Sequence, residues 1–230
     1  TIAHSFPRPT ARGAEVAFDE AGEKIDCEIN PDSADTSIFI FKTVADPFVG
    51  KMSFFKVMNG ELRRDMVLRN LTSGAQEKIG KLFMMRGKKQ IDIDEFACGD
   101  IGVIAKLSAT STNDTLTNSQ SNIKYAGIEF PKPYYKMAIS PVSKGDEDRI
   151  SGGIARILEE DMSVSYENNS ETKQLLISGL GDIHLDIVVA KLKGRFGANV
   201  ILSKPKIAYR ETIKGKADVE GKHKKQSGGS

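Results

Sequence analysis

Asp182-Ile183-His184-Leu185-Asp186-Ile187-Val188-Val189-Ala190-Lys191-Leu192-Lys193-Gly194-Arg195-Phe196-Gly197 is the stretch on which the fold turns. Leu185, Val188, Val189, Leu192 and Phe196 share one face at the helical period, so the spacing predicts a helix from Asp182 to about Phe196. Asp182 complements the positive N-terminal end of that helix, and Lys191, Lys193 and Arg195 its negative end. Gly197 is placed to end it. Immediately upstream, Ser163–Glu167 and Gln174–Ser178 read as two strands joined by the polar turn 168–173. Farther back, Ile150, Ile154, Ile157 and Leu158 fall at i, i+4, i+7 and i+8, which predicts a first helix through about Glu160. Gly152-Gly153 inside it cost about 1 kcal/mol each against Ala, so close packing at that turn is expected as compensation. Tyr134–Ser140 and Asn199–Ser203 complete the set as outer strands, with Pro131 and Pro133 marking a boundary. The order β-α-β-β-α-β is the split βαβ, or ferredoxin-like, α+β fold.

The first half has a different texture. Ser37–Val44 and Val49–Met58 are β-type runs, and Asn59-Gly60 after them is a strong hairpin signal because both residues tolerate positive φ. Leu62, Met66 and Leu68 alternate with Arg63, Asp65 and Arg69, the pattern of a half-buried strand. Gln76–Met85 and Ile101–Leu107 supply further strands. Five or six short strands without a helix predict a small antiparallel β-barrel. The expected organisation is therefore a linker over 1–35, a barrel over 36–120, the ferredoxin-like domain over 121–203 and the start of a truncated further domain over 204–230. The chain opens without Met and closes in the flexible run Gln226-Ser227-Gly228-Gly229-Ser230, so it reads as a piece of a longer protein.

Composition excludes several classes. The formal net charge is +2, which calls for no polyanionic partner by itself. The segment from Lys204 onward is nevertheless basic, with eight basic and three acidic residues on an otherwise mildly acidic body. No apolar run approaches the roughly 18 residues of a membrane helix, so no membrane partner is expected. The two cysteines, Cys27 and Cys98, are far apart and outside any C-x-x-C spacing, which points to a reducing cytoplasm rather than a disulfide or cysteine zinc site.

Little in the sequence promises chemistry. Asp182, His184 and Asp186 invite a metal reading, but at 100° per residue the two carboxylates share a helix face and His184 points away from both. Gly215 to Gly221-Lys222 is the nearest approach to a phosphate-binding loop; it has the wrong spacing and lacks the flanking strand and helix. Basic residues are more suggestive. Arg63-Arg64, Lys78 with Lys81, and Arg86-Gly87-Lys88-Lys89 are either a solvated strand face or contacts to phosphates. Phe39, Phe41, Phe54 and Phe55 are expected in the core rather than stacked on bases. The basic segment 214–226 is either a disordered end or the stub of another domain.

Three segments carry a resemblance. Thr43-Val44-Ala45-Asp46-Pro47-Phe48-Val49-Gly50-Lys51-Met52-Ser53-Phe54-Phe55 resembles the opening of the barrel domain of elongation factor G. Ile177-Ser178-Gly179-Leu180-Gly181-Asp182-Ile183-His184-Leu185-Asp186 resembles the start of the second helix of that family's third domain. Lys204-Pro205 through Tyr209-Arg210-Glu211-Thr212-Ile213, with Glu220-Gly221-Lys222-His223-Lys224-Lys225-Gln226-Ser227-Gly228-Gly229, looks like the junction into its fourth. Asp161-Met162-Ser163 and Arg86-Gly87-Lys88-Lys89 depart from the family pattern, which leaves a housekeeping translocase and a specialised paralogue both open.

The resemblance implies a ribosome-bound translational GTPase that promotes translocation, with GTP and Mg2+ held by a GTPase domain outside this chain. It implies a chain with no catalytic residue, cofactor or metal of its own. The implied partners are the ribosome, through small-subunit rRNA and protein, and the protein's own GTPase domain; a cytoplasmic monomer is expected. The third domain of the family relays nucleotide state and helps form the pocket of the antibiotic fusidic acid. Lys51, Arg63, Arg64, Arg86, Lys88 and Lys89 are the candidate ribosome-contact residues. The alternatives are an independent RNA-binding module, or part of a ribosome-protection or ribosome-recycling GTPase.

Overall fold

Alternating apolar and polar residues form sheet through most of the first half. In the computed structural model, which describes residues 5, 7–46, 49–143 and 145–221, a first lobe contains thirteen strands. They are β1 (Ala14–Phe18), β2 (Lys24–Glu28), β3 (Ser37–Asp46), β4 (Gly50–Asn59), β5 (Glu61–Arg63), β6 (Val67–Asn70), β7 (Gln76–Lys78), β8 (Leu82–Arg86), β9 (Lys89–Ile93), β10 (Glu95–Ala97), β11 (Ile101–Ala105), β12 (Thr115–Thr117) and β13 (Lys124–Tyr125). Eight form an antiparallel sheet in the order β7-β6-β12-β3-β4-β11-β8-β9, with β10-β5 as a separate pair. This is the β-barrel expected from the sequence, wrapped around Ile38, Ile40, Phe55, Leu68, Ile104 and Leu116, all fully buried. Each such side chain contributes about 1.5–3 kcal/mol by leaving water. Phe55 meets Phe96 edge-on with centroids 5.3 Å apart. Gly102 makes that contact possible, since a Cβ there would lie 2.6 Å from the Phe96 ring.

A buried polar brace closes the barrel wall. Glu77, on β7, accepts hydrogen bonds from the Ala109 N–H at 2.6 Å and the Thr110 hydroxyl at 2.9 Å, and Ser108 donates to it as well. Asn70 on β6 donates to Asp114 Oδ2 at 2.8 Å, and Asp114 also accepts from the Ser111 N–H. The loop between β11 and β12 is thus held by two carboxylates whose acceptor capacity is used inside the protein, as burial requires.

Several sequence expectations are corrected. Residues 1–35 are not simply linker: β1 and β2 pair over five residues, and β1 also pairs with β13, giving a three-stranded sheet that packs Ala17, Met58 and Tyr125 together. Because β13 belongs to this sheet, residues 124–125 go with the first lobe and not with the second. Asn59-Gly60 does not make a hairpin; β5 leaves β4 and pairs with β10. The positive φ of Gly60 serves a close approach instead, because a Cβ there would lie 2.6 Å from the Asp35 carbonyl oxygen. Asn59 Oδ1 meanwhile accepts the Asn30 N–H at 2.7 Å, tying the same loop down. The alternating segment Leu62–Arg69 breaks at Asp65, whose φ is 64°, into β5 and β6. Gln76–Met85 likewise breaks around Gly80 into β7 and β8.

The second lobe follows the predicted order: β14 (Tyr135–Pro141), α1 (Glu147–Glu160), β15 (Ser165–Asn169), β16 (Gln174–Gly179), α2 (Asp182–Phe196) and β17 (Val200–Ser203). The antiparallel sheet runs β15-β16-β14-β17, the split βαβ arrangement. Both helices pack on it through Ile150, Ile154, Ile157, Leu185, Val188 and Leu192. Of the paired glycines, Gly153 is the one in close contact; a Cβ there would come 2.9 Å from Leu192 Cδ2, whereas Gly152 faces open space. Gly197 ends α2 in the left-handed conformation (φ 65°), and the Gly197 and Ala198 N–H groups donate to Lys193 and Leu192.

Residues 126–134 join the lobes without strand or helix, pinned where they leave the first lobe by Asn113, which exchanges hydrogen bonds with the backbone of Ile128. Residues 204–221, expected to begin a further domain, form neither strand nor helix. A strand needs a neighbour for its N–H and C=O groups, and this segment is tied back mainly by the Lys206 N–H on Gln174 Oε1 and by Arg210 on Glu171. The expected loop motif at 222–229 lies outside the described residues. Among the described residues no helix is long and apolar enough to cross a membrane.

Candidate functional site at the lobe junction

The β3–β4 hairpin extends beyond its neighbours. β12 pairs with β3 only from Ser37 to Phe39, while β4 continues along it to Asp46. Near the tip, the outward edge of β3 therefore presents backbone groups that no strand covers. Two side chains from the second lobe cover them. The Ala45 N–H donates to Glu160 Oε1 at 2.7 Å, and Arg195 Nη2 donates to the Ala45 carbonyl. Glu160 and Arg195 are themselves joined by two hydrogen bonds of 2.9 and 3.0 Å. An ion pair thus takes the place of a strand, its carboxylate acting as acceptor and its guanidinium as donor. The fork geometry of Arg suits it to this double role.

The electrostatics favour the charged pair. Glu160, hydrogen-bonded to Arg195, raises the guanidinium pKa beyond its ordinary value; burial opposes this, and the Glu160 and Asp46 charges add to it. Lys191 Nζ lies 4.0 Å from Glu160 Oε2. Beside the pair is a groove of about 340 Å³ lined by Ala45, Asp46, Gly50, Arg156, Arg195 and Phe196.

A second polar cluster lies within the second lobe. His184 Nδ1 accepts the Leu180 N–H at 3.1 Å, so the hydrogen of a neutral ring sits on Nε2, which faces Asp161 Oδ2 at 3.0 Å. Asp161 follows α1 directly, and its other oxygen takes both the N–H and the hydroxyl of Ser163. Burial pushes the Asp161 carboxyl up, but hydrogen bonds from Ser163 and His184 outweigh it and hold its pKa below the usual value. His184 is thus engaged away from Asp182 and Asp186. It fastens the start of α2 to the end of α1.

The six predicted contact residues are not brought together. Arg63 pairs with Glu61 at 2.7 Å and with Glu95 at 3.5 Å, and Arg64 with Asp94 at 3.3 Å. Arg86, Lys88 and Lys89 sit at the β8–β9 turn, where Gly87 has φ 61° and Arg86 is directly opposite Lys89. Lys51 lies opposite Ala45 at the start of β4. The pairing of Ala105 with Met52 and of Ile101 with Lys56 puts Lys51 and the β8–β9 turn at opposite ends of the sheet. Among the described residues, no ion pair engages Lys51, Arg86, Lys88 or Lys89. Phe55 lies in the core as expected, and Phe54 stands 6.4 Å from Phe41, ring to ring, with the Lys42 ammonium over it. The described part of the Gly215–Gly221 region is exposed coil, and the continuation of that segment lies outside the described residues.

Sequence reasoning missed Glu160 and Ala45 and read Arg195 only as a helix-end charge. One signal was present: Glu160 is the last residue of α1, where the helix dipole disfavours a carboxylate, and no basic residue occupies that turn.

Comparison with known proteins accounts for both lobes. Residues 35–119 match the family model described as elongation factor G domain 2, and residues 130–204 that described as elongation factor G, domain III. The fold is also similar to a crystal structure of a protein from Thermus thermophilus, with a TM-score of 0.74 and 26% identity over 93% of this chain. This chain covers 29% of that one. Two family domains, in order and each on its own lobe, place this chain in the elongation factor G family, of which it carries the second and third domains.

Proposed function

We propose that the chain docks a translocase-type GTPase on the ribosome and transmits nucleotide state through its second lobe, without hydrolysing GTP itself. The observation that carries this reading is the succession of the two elongation-factor domains along one chain. GTP and Mg2+ belong, in this reading, to a domain outside this chain, and no nucleotide step is routed through the chain's own residues. The setting is cytoplasmic and the chain a monomer, with its GTPase domain and the ribosome as partners.

The cations that bear on docking are those that no ion pair engages among the described residues. Arg63 and Arg64 are largely neutralised by Glu61, Glu95 and Asp94, so Arg86, Lys88, Lys89 and Lys51 are the ones that neutralise phosphates. Co-sedimentation with purified small ribosomal subunits at several salt concentrations tests this. Binding should weaken with salt, and a triple charge reversal at Arg86, Lys88 and Lys89 should lower the salt slope by roughly 2–3, one unit per lost phosphate contact. Reversal at Arg63 and Arg64 should change it little. Equal binding by the triple variant would refute this docking surface, and micromolar GTP affinity by calorimetry would refute the absence of a nucleotide site.

A further inference from the structure

The contact around Ala45 has features of a device rather than of general packing. No hydrophobic cluster among the described residues draws on both lobes; one is built from β14 to β17 with the two helices, and the others from the first lobe. Where an interface is small and polar, movement between domains is the default. Yet α1 lies against β3, and its last residue supplies the acceptor that the Ala45 N–H needs. Glu160 is poorly placed for its own helix, and its side chain is only 10% exposed, so it is desolvated as well. Arg195 and the Ala45 backbone, with Lys191 farther off, offset both costs.

We propose that the Glu160–Arg195 pair is an electrostatic latch, closed on the backbone of Ala45, that fixes the angle between the two lobes and opens when either charge is lost. The groups facing it are Lys191, which approaches Glu160, Asp46, which acts on Arg195, and Arg156, which lines the same groove but pairs with Glu159 at 3.3 Å. None of these can replace Arg195, because none reaches the Ala45 carbonyl and Glu160 together. With the latch closed the lobes tumble as one body. With it open, the Ala45 N–H and carbonyl go to water and residues 126–134 become a hinge.

The test uses the whole chain, labelled with nitrogen-15, and needs neither nucleotide nor ribosome, so its outcome is independent of the docking proposal. Residual dipolar couplings report whether both lobes share one alignment tensor, and amide exchange reports protection at Ala45. In the unaltered protein the tensors should coincide. In Glu160→Ala and in Arg195→Met they should diverge, with Ala45 exchange at least ten-fold faster and the neighbouring β3 amides little changed. Dispersed resonances in each lobe separate an open latch from unfolding, and Arg195→Met carries the test if Glu160→Ala fails to fold. Separate tensors in the unaltered protein, or one shared tensor in both variants, would overturn the proposal.

Discussion

Gly153 of α1 and Leu192 of α2 are so close that a methyl group on the glycine would lie 2.9 Å from Leu192 Cδ2 and 3.1 Å from the Phe196 ring. Leu192 is fully buried, so its Cδ2 can move aside only by displacing its core neighbours. Gly152, one residue earlier in the same helix, has nothing within 4 Å of the same position. The two glycines should therefore respond to alanine with opposite sign. Gly152→Ala is expected to stabilise the second lobe by about 0.5–1 kcal/mol through helix propensity alone. Gly153→Ala should destabilise it by about 1–2 kcal/mol, because overpacking outweighs the same propensity gain. Urea denaturation of the two variants side by side checks both signs.

The Asp161 carboxyl, held below its ordinary pKa, links stability to acid. A depressed carboxyl contributes fully above its unfolded value of about 3.9 and loses that contribution as pH falls through the lowered native value. Asp161→Asn removes the effect. At pH 7 it should cost about 1–2 kcal/mol from weakened hydrogen bonds to Ser163 and His184. The gap between variant and parent should shrink below pH 4. Thermal melts from pH 2.5 to 7 would show it, and a constant gap across that range would dissociate Asp161 from acid sensitivity.

Glu77 tests the barrel brace. Glu77→Ala leaves the Ala109 N–H and the Thr110 hydroxyl without their buried acceptor, a loss of about 2–4 kcal/mol. Glu77→Gln keeps one oxygen acceptor and should cost less than half as much. Chemical denaturation followed by a first-lobe probe distinguishes the two.

Gly60 tests the loop approach that replaced the expected hairpin. Gly60→Ala combines a strained positive φ of 62° with a Cβ 2.6 Å from the Asp35 carbonyl, a backbone atom that cannot swing aside. A loss of about 2–3 kcal/mol is expected. Hydrogen exchange should rise first in residues 30–36, and an unchanged midpoint would show that this loop yields without cost.

The second lobe was legible because its signals are local and long. Two helices of 14 and 15 residues each bury apolar residues at helical spacing, although α2 also exposes Ile183 and Ile187, and Gly197 stops α2 where its φ requires glycine. The first lobe was legible only in outline. Its long strands, β3 and β4, stood out, but β10 and β12 have three residues each and β13 only two, too few to show a period. Strands β1 and β2 hid among Gly, Asp and Glu, and the second partner of β1, Lys124-Tyr125, lies about a hundred residues away. The Asn59-Gly60 pair was read through its commonest use, and only the tertiary approach of Asp35 shows the other. The junction was illegible for the same reason: Ala45 is an ordinary strand residue until Glu160 and Arg195 reach its backbone. His184 and Asp161, 23 positions apart, likewise meet only in the folded lobe.

The two hydrophobic cores share no side chain, and the chain passes between them through a single extended crossing at residues 126–134. Each core can therefore drift in composition without obliging the other to follow. Grafting a foreign second lobe onto this barrel at that crossing demands compatibility first where α1 and α2 meet β3, at positions 45, 160 and 195.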